Sequence, residues 1–282
     1  MGKRKRALSK SKTKSTPDSK RRKRNNDNSP AIIDKNVKLS NADMLVGTSK
    51  NAVKLAHNLV QIFSKNKNNR EAPLMKKYVR GKFDFFGLKA PIRKTLAKEC
   101  MNTKLSSPGE IRDLASILWS EPERELQYFV VDYLIKHFKY FGDEKAEFEP
   151  NVNFVKHLLT TKSWWDTVDA LSSNILGRLV QTHPLMGKPV LEDWINDDNM
   201  WLRRAAILHQ IKYKEKTDEE MLFRFCCARA QEQEFFIQKA IGWALRSYAW
   251  TNGAAVKKFL LKNKQNFSKL SYQEAAKHLS GM

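Results

Sequence analysis

Residues 161–180 read TKSWWDTVDALSSNILGRLV, and their apolar side chains recur at the spacing of an amphipathic helix. At 100° per residue, one face of this helix, only about 60° wide, contains Trp164, Val168, Leu171 and Ile175. Trp165 and Asp169 lie about 100° to 140° from Trp164 on a second face, and side chains four residues apart touch. We therefore expect Trp164 in the core. We interpret Trp165 with Asp169 as one unit, which either acts in a cleft or packs against a neighbouring helix pair.

Three segments, one of them within residues 161–180, carry the signal of a helix start, a capping residue followed three residues later by an acidic one. The pairs are Ser107 with Glu110, Ser163 with Asp166, and Thr217 with Glu220. Pro108 strengthens the first of them, because proline is favoured at the first helical position. On this interpretation Asp166 is a helix-capping residue.

Helical periodicity continues from about residue 41 onward, and no alternating run bounded by turn residues predicts a strand. The helical segments form neighbouring pairs at about 107–139, 152–182, 188–213, 218–250 and 253–280. A spacing of about 30 to 45 residues per pair is typical of HEAT-type repeats. We predict an all-α fold, in which HEAT-like helical repeats of residues 41–282 stack into a curved solenoid with a concave basic face.

The formal charge of the 282 residues is +22, and it is spread over the whole chain. Residues 1–40 hold 14 Lys and Arg against 3 Asp, and the other residues hold 38 basic against 27 acidic side chains, so each part carries +11. Such an excess predicts polyanionic partners, since each neutralised phosphate releases condensed counterions. No signal peptide and no apolar run of about 18 residues is visible, so we expect a soluble intracellular protein without a membrane partner.

The first 40 residues are predicted to be a disordered basic tail, because they contain few apolar residues and no periodicity. Two clusters, KRKR at 3–6 and KRRKR at 20–24, are typical of a nuclear localisation signal. They predict a nuclear protein that binds an import receptor. The competing interpretation is a solvated tail that adheres to DNA.

The segment FFIQKAIGWALRSYAW at 235–250 also has two faces. Its core stripe is formed by Ile237, Ile241, Ala244 and Tyr248. Aromatic rings and cations gather on the opposite side, at Lys239, Trp243, Arg246 and Trp250. Rings suit sugars or bases and cations suit phosphates, although packing under a neighbouring helix is an equally good interpretation. In MWLRRAAILHQ at 200–210, periodicity leaves Arg203 and Arg204 as alternative ligand-facing residues.

Several other classes of site lack a signature in the chain. The three cysteines and six histidines do not have the spacing of zinc ligands, and no glycine-rich phosphate loop is present. We therefore expect no metal site, no cofactor and no nucleoside triphosphate.

Five segments are distinctive in combination: YVRGKFDFFGL at 78–88, PERELQYFVVDYL at 122–134, TKSWWDTVD at 161–169, WLRRAAILHQ at 201–210 and FFIQKAIGWALRSYAWTN at 235–252. Together they resemble the AlkD-type DNA glycosylases, HEAT-like-repeat enzymes that excise alkylated purines. The resemblance runs from about residue 50 to 280 and leaves the basic tail without a counterpart.

The resemblance implies a role for each matching residue. It makes Asp169 the catalytic carboxylate, Trp165 and Trp243 the cleft tryptophans, Arg204 a backbone-phosphate ligand and Tyr78 a cleft tyrosine. Lys239 and Arg246 are added as DNA-binding residues from the face that they share with Trp243.

The function expected from the resemblance is monofunctional hydrolysis of the N-glycosidic bond of cationic purines, such as 7-methylguanine and 3-methyladenine, in double-stranded DNA. The family is thought to act without flipping the base, and we expect a monomer. Two alternatives are a helical-repeat protein that binds nucleic acid without catalysis and a protein scaffold whose concave face holds a peptide. A scaffold would prefer acidic partners and show no preference for damaged DNA.

Overall fold

The computed structural model describes residues 47–279, which form fifteen α-helices and no β-strand within that range. The helices are α1 (Lys50–Lys65), α2 (Ala72–Tyr78), α3 (Ala90–Leu96), α4 (Lys98–Asn102), α5 (Pro108–Ser120), α6 (Arg124–Lys136), α7 (Phe138–Gly142), α8 (Phe148–Thr160), α9 (Trp165–Leu171), α10 (Gly177–Thr182), α11 (Pro184–Ile195), α12 (Met200–Leu208), α13 (Glu219–Ala228), α14 (Phe235–Lys262) and α15 (Lys269–Ala276). The predicted all-α class is confirmed.

The predicted helix pairs agree with the observed ones to within a few residues. α5 with α6, α8 with α9 and α10, α11 with α12, and α13 with α14 fall on the first four predicted segments. α14 contains a kink at Asn252, where φ is −138° and ψ is 74°. This kink is the boundary that the sequence placed between the fourth and fifth pairs.

Contacts between helices follow the order of the chain. α5 packs on α1 and α6, α6 packs on α9, and α12 packs on α8, α9 and α11. α14 then packs on α12 and α15. Within the described residues, each pair therefore buries its apolar stripe against its neighbours, as stacked helical repeats do.

One of the three predicted helix caps is confirmed and two are wrong. Ser107 Oγ accepts the backbone N–H of Glu110 at 3.2 Å, as expected. Ser163 instead donates its hydroxyl to the Leu159 carbonyl, and α9 begins after Trp164 without a side-chain cap. Asp218, one residue after Thr217, caps α13 instead, and its Oδ1 accepts the Met221 N–H at 3.0 Å.

The core stripe predicted for residues 161–180 is confirmed. Val168, Leu171 and Ile175 are fully buried, and Trp164 is 6% exposed. The Trp164 ring packs on Trp201 and Phe236, with ring centroids 6.0 and 5.1 Å apart. α9 is thereby fixed against α12 and the start of α14.

After α9 the chain passes through one π-helical segment, Ser172–Leu176, before α10 begins. A Cβ atom on Gly177 would lie 2.1 Å from the His209 carbonyl oxygen, so only glycine allows this close approach. The π-helical segment changes the direction of the side chains after it, and such segments recur at functional sites. α9, which precedes this segment, packs against both α6 and α12.

The predicted tail of residues 1–40, its boundary with the folded part and both nuclear localisation clusters lie outside the described residues. Within residues 47–279, no helix is both long and apolar enough to cross a membrane.

Candidate active site

Asp169 lies on α9, and its carboxylate is held by an arginine from α12. Arg204 donates from Nε to Oδ1 at 2.7 Å and from Nη2 to Oδ2 at 2.8 Å. Arg204 Nη1 donates to the Phe236 carbonyl of α14. This two-pronged pair fixes the plane of the carboxylate, since both groups are planar.

The pair is largely buried, and the carboxylate is its more exposed end. The Arg204 side chain is 5% exposed and the Asp169 side chain is 16% exposed. Burial raises the pKa of Asp169, and the hydrogen bonds and charge of Arg204 oppose that rise only in part. Arg204 thus favours an ionised carboxylate in surroundings that would otherwise protonate it.

The phosphate-binding role that the resemblance implies for Arg204 stays a prediction, because most of this side chain is buried against protein groups. The whole residue is 4% exposed, and its Nε, Nη1 and Nη2 atoms all donate to protein oxygens. Three of the five N–H donors of the guanidinium are thus engaged, so a phosphate would have to use one of the two that remain. Arg203, the alternative, is also engaged, because its side chain bonds Glu232.

A second buried ion pair joins α9 to α6. Arg124 of α6 donates to Asp166 from Nε at 3.1 Å and from Nη2 at 2.5 Å. Their side chains are 0% and 7% exposed. The prediction that Asp166 serves only as a helix cap is therefore wrong: its main partner is an arginine of another helix.

The two carboxylates of α9 differ in the hydrogen-bonding capacity that they have left. Asp166 accepts two bonds from Arg124, one from the Tyr128 hydroxyl and one from the Thr167 N–H. Since a carboxylate has about four acceptor sites, Asp166 is saturated. Among the residues described, Asp169 accepts only the two bonds from Arg204, so about two acceptor sites remain for a ligand.

Trp165 is half-buried and borders an open groove. The Tyr78 ring meets it edge-on, with centroids 5.6 Å apart, and Tyr78 is 68% exposed. The groove has a volume of about 600 Å³ and is also lined by Tyr128, Arg93 and Asp166. The structure thus brings two of the three aromatic residues of the predicted cleft, Tyr78 and Trp165, into contact.

α6 also fixes the loop that follows α2 and Tyr78. The buried Glu125 carboxylate accepts the backbone N–H groups of Phe86, Gly87 and Leu88 at 2.9 to 3.1 Å. Gly87 has φ of +85°, and a Cβ there would lie 2.2 Å from the Asn68 carbonyl oxygen. One helix therefore holds α9 through Arg124 and the loop between α2 and α3 through Glu125.

Trp243 lies on α14, half-buried, two helical turns after Phe236. At 100° per residue the two side chains differ in direction by only about 20°. The Phe236 ring lies 5.9 Å from the Arg204 guanidinium carbon, so this face of α14 borders the Asp169 pair. Within the described residues, no ring contact or hydrogen bond joins Trp243 to Asp169 directly.

Lys239 and Arg246, the predicted DNA-binding residues of α14, both pair with Glu274 of α15. Lys239 lies 2.7 Å from Glu274, and its side chain remains 36% exposed. Trp250 reaches the same end of α15, where its ring lies 4.9 Å from His278. This face therefore packs in part against α15, which was the competing interpretation of the sequence.

The sequence did not reveal Arg124, Tyr128 or Glu274 as part of this arrangement. Arg124 and Tyr128 stand within PERELQYFVVDYL, a segment that is distinctive mainly through its likeness to a family. Their burial depends on partners about 40 residues away, which periodicity along one helix cannot identify. Among residues 47–279, no group of three His, Cys, Asp or Glu side chains is arranged to hold a metal ion.

Comparison with known proteins gives an independent result. Residues 59–279 match the profile of a family described as "DNA alkylation repair enzyme". A solved structure titled "Predicted DNA alkylation repair enzyme from Enterococcus faecalis" superposes with a TM-score of 0.68 and 30% identity, over 77% of this chain and 98% of that one. No match was found among proteins of curated function.

Proposed function

The chain belongs to the family of DNA alkylation repair enzymes, and from that premise we propose that it is an AlkD-type alkylpurine DNA N-glycosylase. It hydrolyses the N-glycosidic bond of cationic purines, of the 7-methylguanine or 3-methyladenine kind, in double-stranded DNA.

One observation carries this proposal: of the two carboxylates on α9, Asp169 alone retains acceptor capacity at a partly exposed position. Asp166 is equally acidic and three residues away, but its acceptor sites are filled. A carboxylate that is only structural has no need of open acceptor sites at a surface. Asp169 therefore has the arrangement expected of a group that meets a ligand.

The chemistry of the substrate matches one carboxylate. A purine alkylated at N7 or N3 is already cationic, so the C1′–N bond breaks with the electron pair moving to the base, which leaves neutral. The deoxyribose becomes oxocarbenium-like, and water adds to C1′ and releases one proton. Asp169 stabilises the cationic sugar and orients the water, as carboxylates do in other glycoside hydrolyses.

The aromatic residues border the sugar. Trp165 packs on the deoxyribose and its developing charge, with Tyr78 supporting the Trp165 ring edge-on. Trp243 closes the site from α14. Arg204 acts through Asp169, which it keeps ionised and in place.

We propose that the enzyme acts without base flipping and without lyase chemistry. Asp169 and Trp165 both reach the surface, so a deoxyribose can meet them from outside while its base stays in the duplex. Lyase chemistry requires a lysine amine at C1′. Within the described residues, no lysine bonds Asp169.

The nuclear location, the import receptor as a partner and the monomeric state remain proposals that rest on the sequence. The two basic clusters in residues 3–24 support the first two.

The test is incubation of the full-length protein with a duplex that carries 7-methylguanine, followed by alkaline scission at abasic sites. We expect one cut, at the lesion, and none in the undamaged duplex. Binding of duplex without any scission would instead favour the non-catalytic alternative.

A further inference from the structure

Three cationic side chains converge on one carboxylate where α14 meets α15. Lys239 Nζ lies 2.7 Å from Glu274 Oε2, and Lys277 Nζ lies 2.9 Å from the same oxygen. Arg246 pairs with the other oxygen, Oε1. The Glu274 side chain is 6% exposed, whereas Lys239 and Lys277 are 36% and 52% exposed. The carboxylate thus forms the floor of a cluster whose cations reach the surface.

The cluster carries a net charge of +2, from three cations and one carboxylate. In the part of the chain that the structure describes, no second carboxylate pairs with Lys239, Arg246 or Lys277. The two ammonium nitrogens cannot be farther apart than the sum of their distances to the shared oxygen, about 5.6 Å. One cation would suffice to neutralise Glu274, so helix packing alone does not account for the other two.

The position of Glu274 is enforced by the backbone. A Cβ on Gly242 would lie 2.5 Å from the Glu274 Cβ, so the glycine lets α15 approach α14 closely. Burial alone would raise the pKa of Glu274, but hydrogen bonds from Lys239 and Lys277 and the charge of Arg246 lower it to about 2. The anchor is therefore ionised and fixed before any ligand arrives.

The cluster flanks the predicted site tryptophan. Lys239 precedes Trp243 by four residues and Arg246 follows it by three, so both lie within about 60° of its direction on α14. Arg204 of α12 is 4% exposed and is engaged with Asp169 and the Phe236 carbonyl. Lys239 and Lys277, at 36% and 52% exposed, are therefore more accessible to a backbone phosphate than Arg204 is.

We propose that Lys239, Arg246 and Lys277 form a binding site for a backbone phosphate of DNA, with Glu274 as the residue that positions them. A phosphodiester has two non-bridging oxygens, so one phosphate can bridge two ammonium groups at this separation. The choice of the phosphate beside the lesion rests on the proposed function; the affinity for duplex DNA does not.

The test measures binding of the full-length protein to an undamaged fluorescent duplex by anisotropy, over a range of salt concentrations. Lys277→Ala should weaken binding about threefold to tenfold and lower the slope of log K against log salt by about 0.9, as for the loss of one phosphate contact. Lys277→Arg, which keeps the charge, should restore most of both.

Lys188→Ala is the matched control. Lys188 is 54% exposed and has a single partner, Asp218 at 2.9 Å, so its removal changes the net charge equally but leaves the cluster intact. An equal loss in Lys188→Ala, or no loss in Lys277→Ala, overturns the proposal. Because the duplex is undamaged and no bond is cut, this outcome is independent of whether the protein proves to be a glycosylase.

Discussion

Replacing Asp169 with asparagine tests the active-site assignment most directly. The substitution keeps the shape of the side chain and removes its charge. Arg204 stays in place, because its Nη1 still bonds the Phe236 carbonyl. The pair then changes from neutral to a net charge of +1 beside the reacting sugar.

The size of the effect follows from Coulomb's law. A unit charge about 6 Å from C1′, at an effective dielectric constant of about 20, is worth about 2.8 kcal/mol. The transition state becomes cationic at C1′, so this energy is lost from its stabilisation. We expect excision of 7-methylguanine to slow by about 100-fold, and by at least about tenfold if water screens part of the charge.

The assay is single-turnover excision at saturating enzyme, with Asp166→Asn as the matched control. Both variants exchange a carboxylate for an amide on α9 and leave a buried arginine without its counter-charge. Breaking such a pair costs about 3 kcal/mol, so thermal unfolding should shift down by about 6 to 12 °C in a domain of this size. Rates are therefore expressed per folded molecule, and Asp166→Asn should retain most of its rate.

Two results would refute the reasoning. If the two variants lose excision equally, the effect comes from distortion of α9 and not from the charge at Asp169. If Asp169→Asn keeps its full rate, the carboxylate does not stabilise the sugar and the proposed site is wrong. Duplex affinity should not fall in Asp169→Asn, since the variant removes a negative charge.

Other predictions concern pH and packing. Excision should decline on acidification with an apparent pKa above 3.8, the ordinary value for an aspartate. Burial raises the pKa of Asp169, and the protonated carboxyl cannot stabilise a cation. An excision rate that is flat down to pH 4 would contradict this. Trp164→Phe should lower the free energy of unfolding in urea by about 1 to 3 kcal/mol and leave the excision rate unchanged. Trp165→Ala should slow excision with the smaller loss of stability. The reverse pattern would exchange the roles of the two tryptophans. The folded pKa of Glu274, about 2, is below its ordinary value of 4.5, so its contribution to stability is present above pH 4.5 and is lost as pH falls towards 2. Glu274→Gln should abolish that part of the acid dependence of thermal unfolding, and unchanged acid dependence would show that the cluster does not stabilise the fold.

The fold was predictable because its signals are local. The apolar stripe from Trp164 to Ile175 is a property of one helix, and the predicted burial is what the structure shows. The helix pairs could be counted for the same reason. The caps at Ser163 and Thr217 failed because a capping bond depends on backbone angles, and a shift of one residue leaves the composition of the motif unchanged.

The site was predictable only in part. Periodicity separated Trp165 and Asp169 from the core, but it could not say what faces them. The partner of Asp166 comes from α6 and the partner of Asp169 from α12, at sequence distances of 42 and 35 residues. A buried arginine looks like a surface arginine until its carboxylate is known, and for this reason the ion pair of Arg204 with Asp169 could not be predicted from the sequence.

Pairing the proposed catalytic carboxylate with an arginine weakens its field, so the arrangement needs a physical reason. Without Arg204, burial would raise the pKa of Asp169 further and favour the neutral acid, which offers the sugar no charge. With Arg204, the carboxylate stays ionised. Asp169 is the more exposed member of the pair, and the Arg204 guanidinium lies beneath it at 5% exposure. The pair is then a fixed dipole whose negative end is the more exposed one. Such a dipole needs no reorganisation when the sugar becomes cationic, which is how preorganised sites stabilise a transition state more than a ground state.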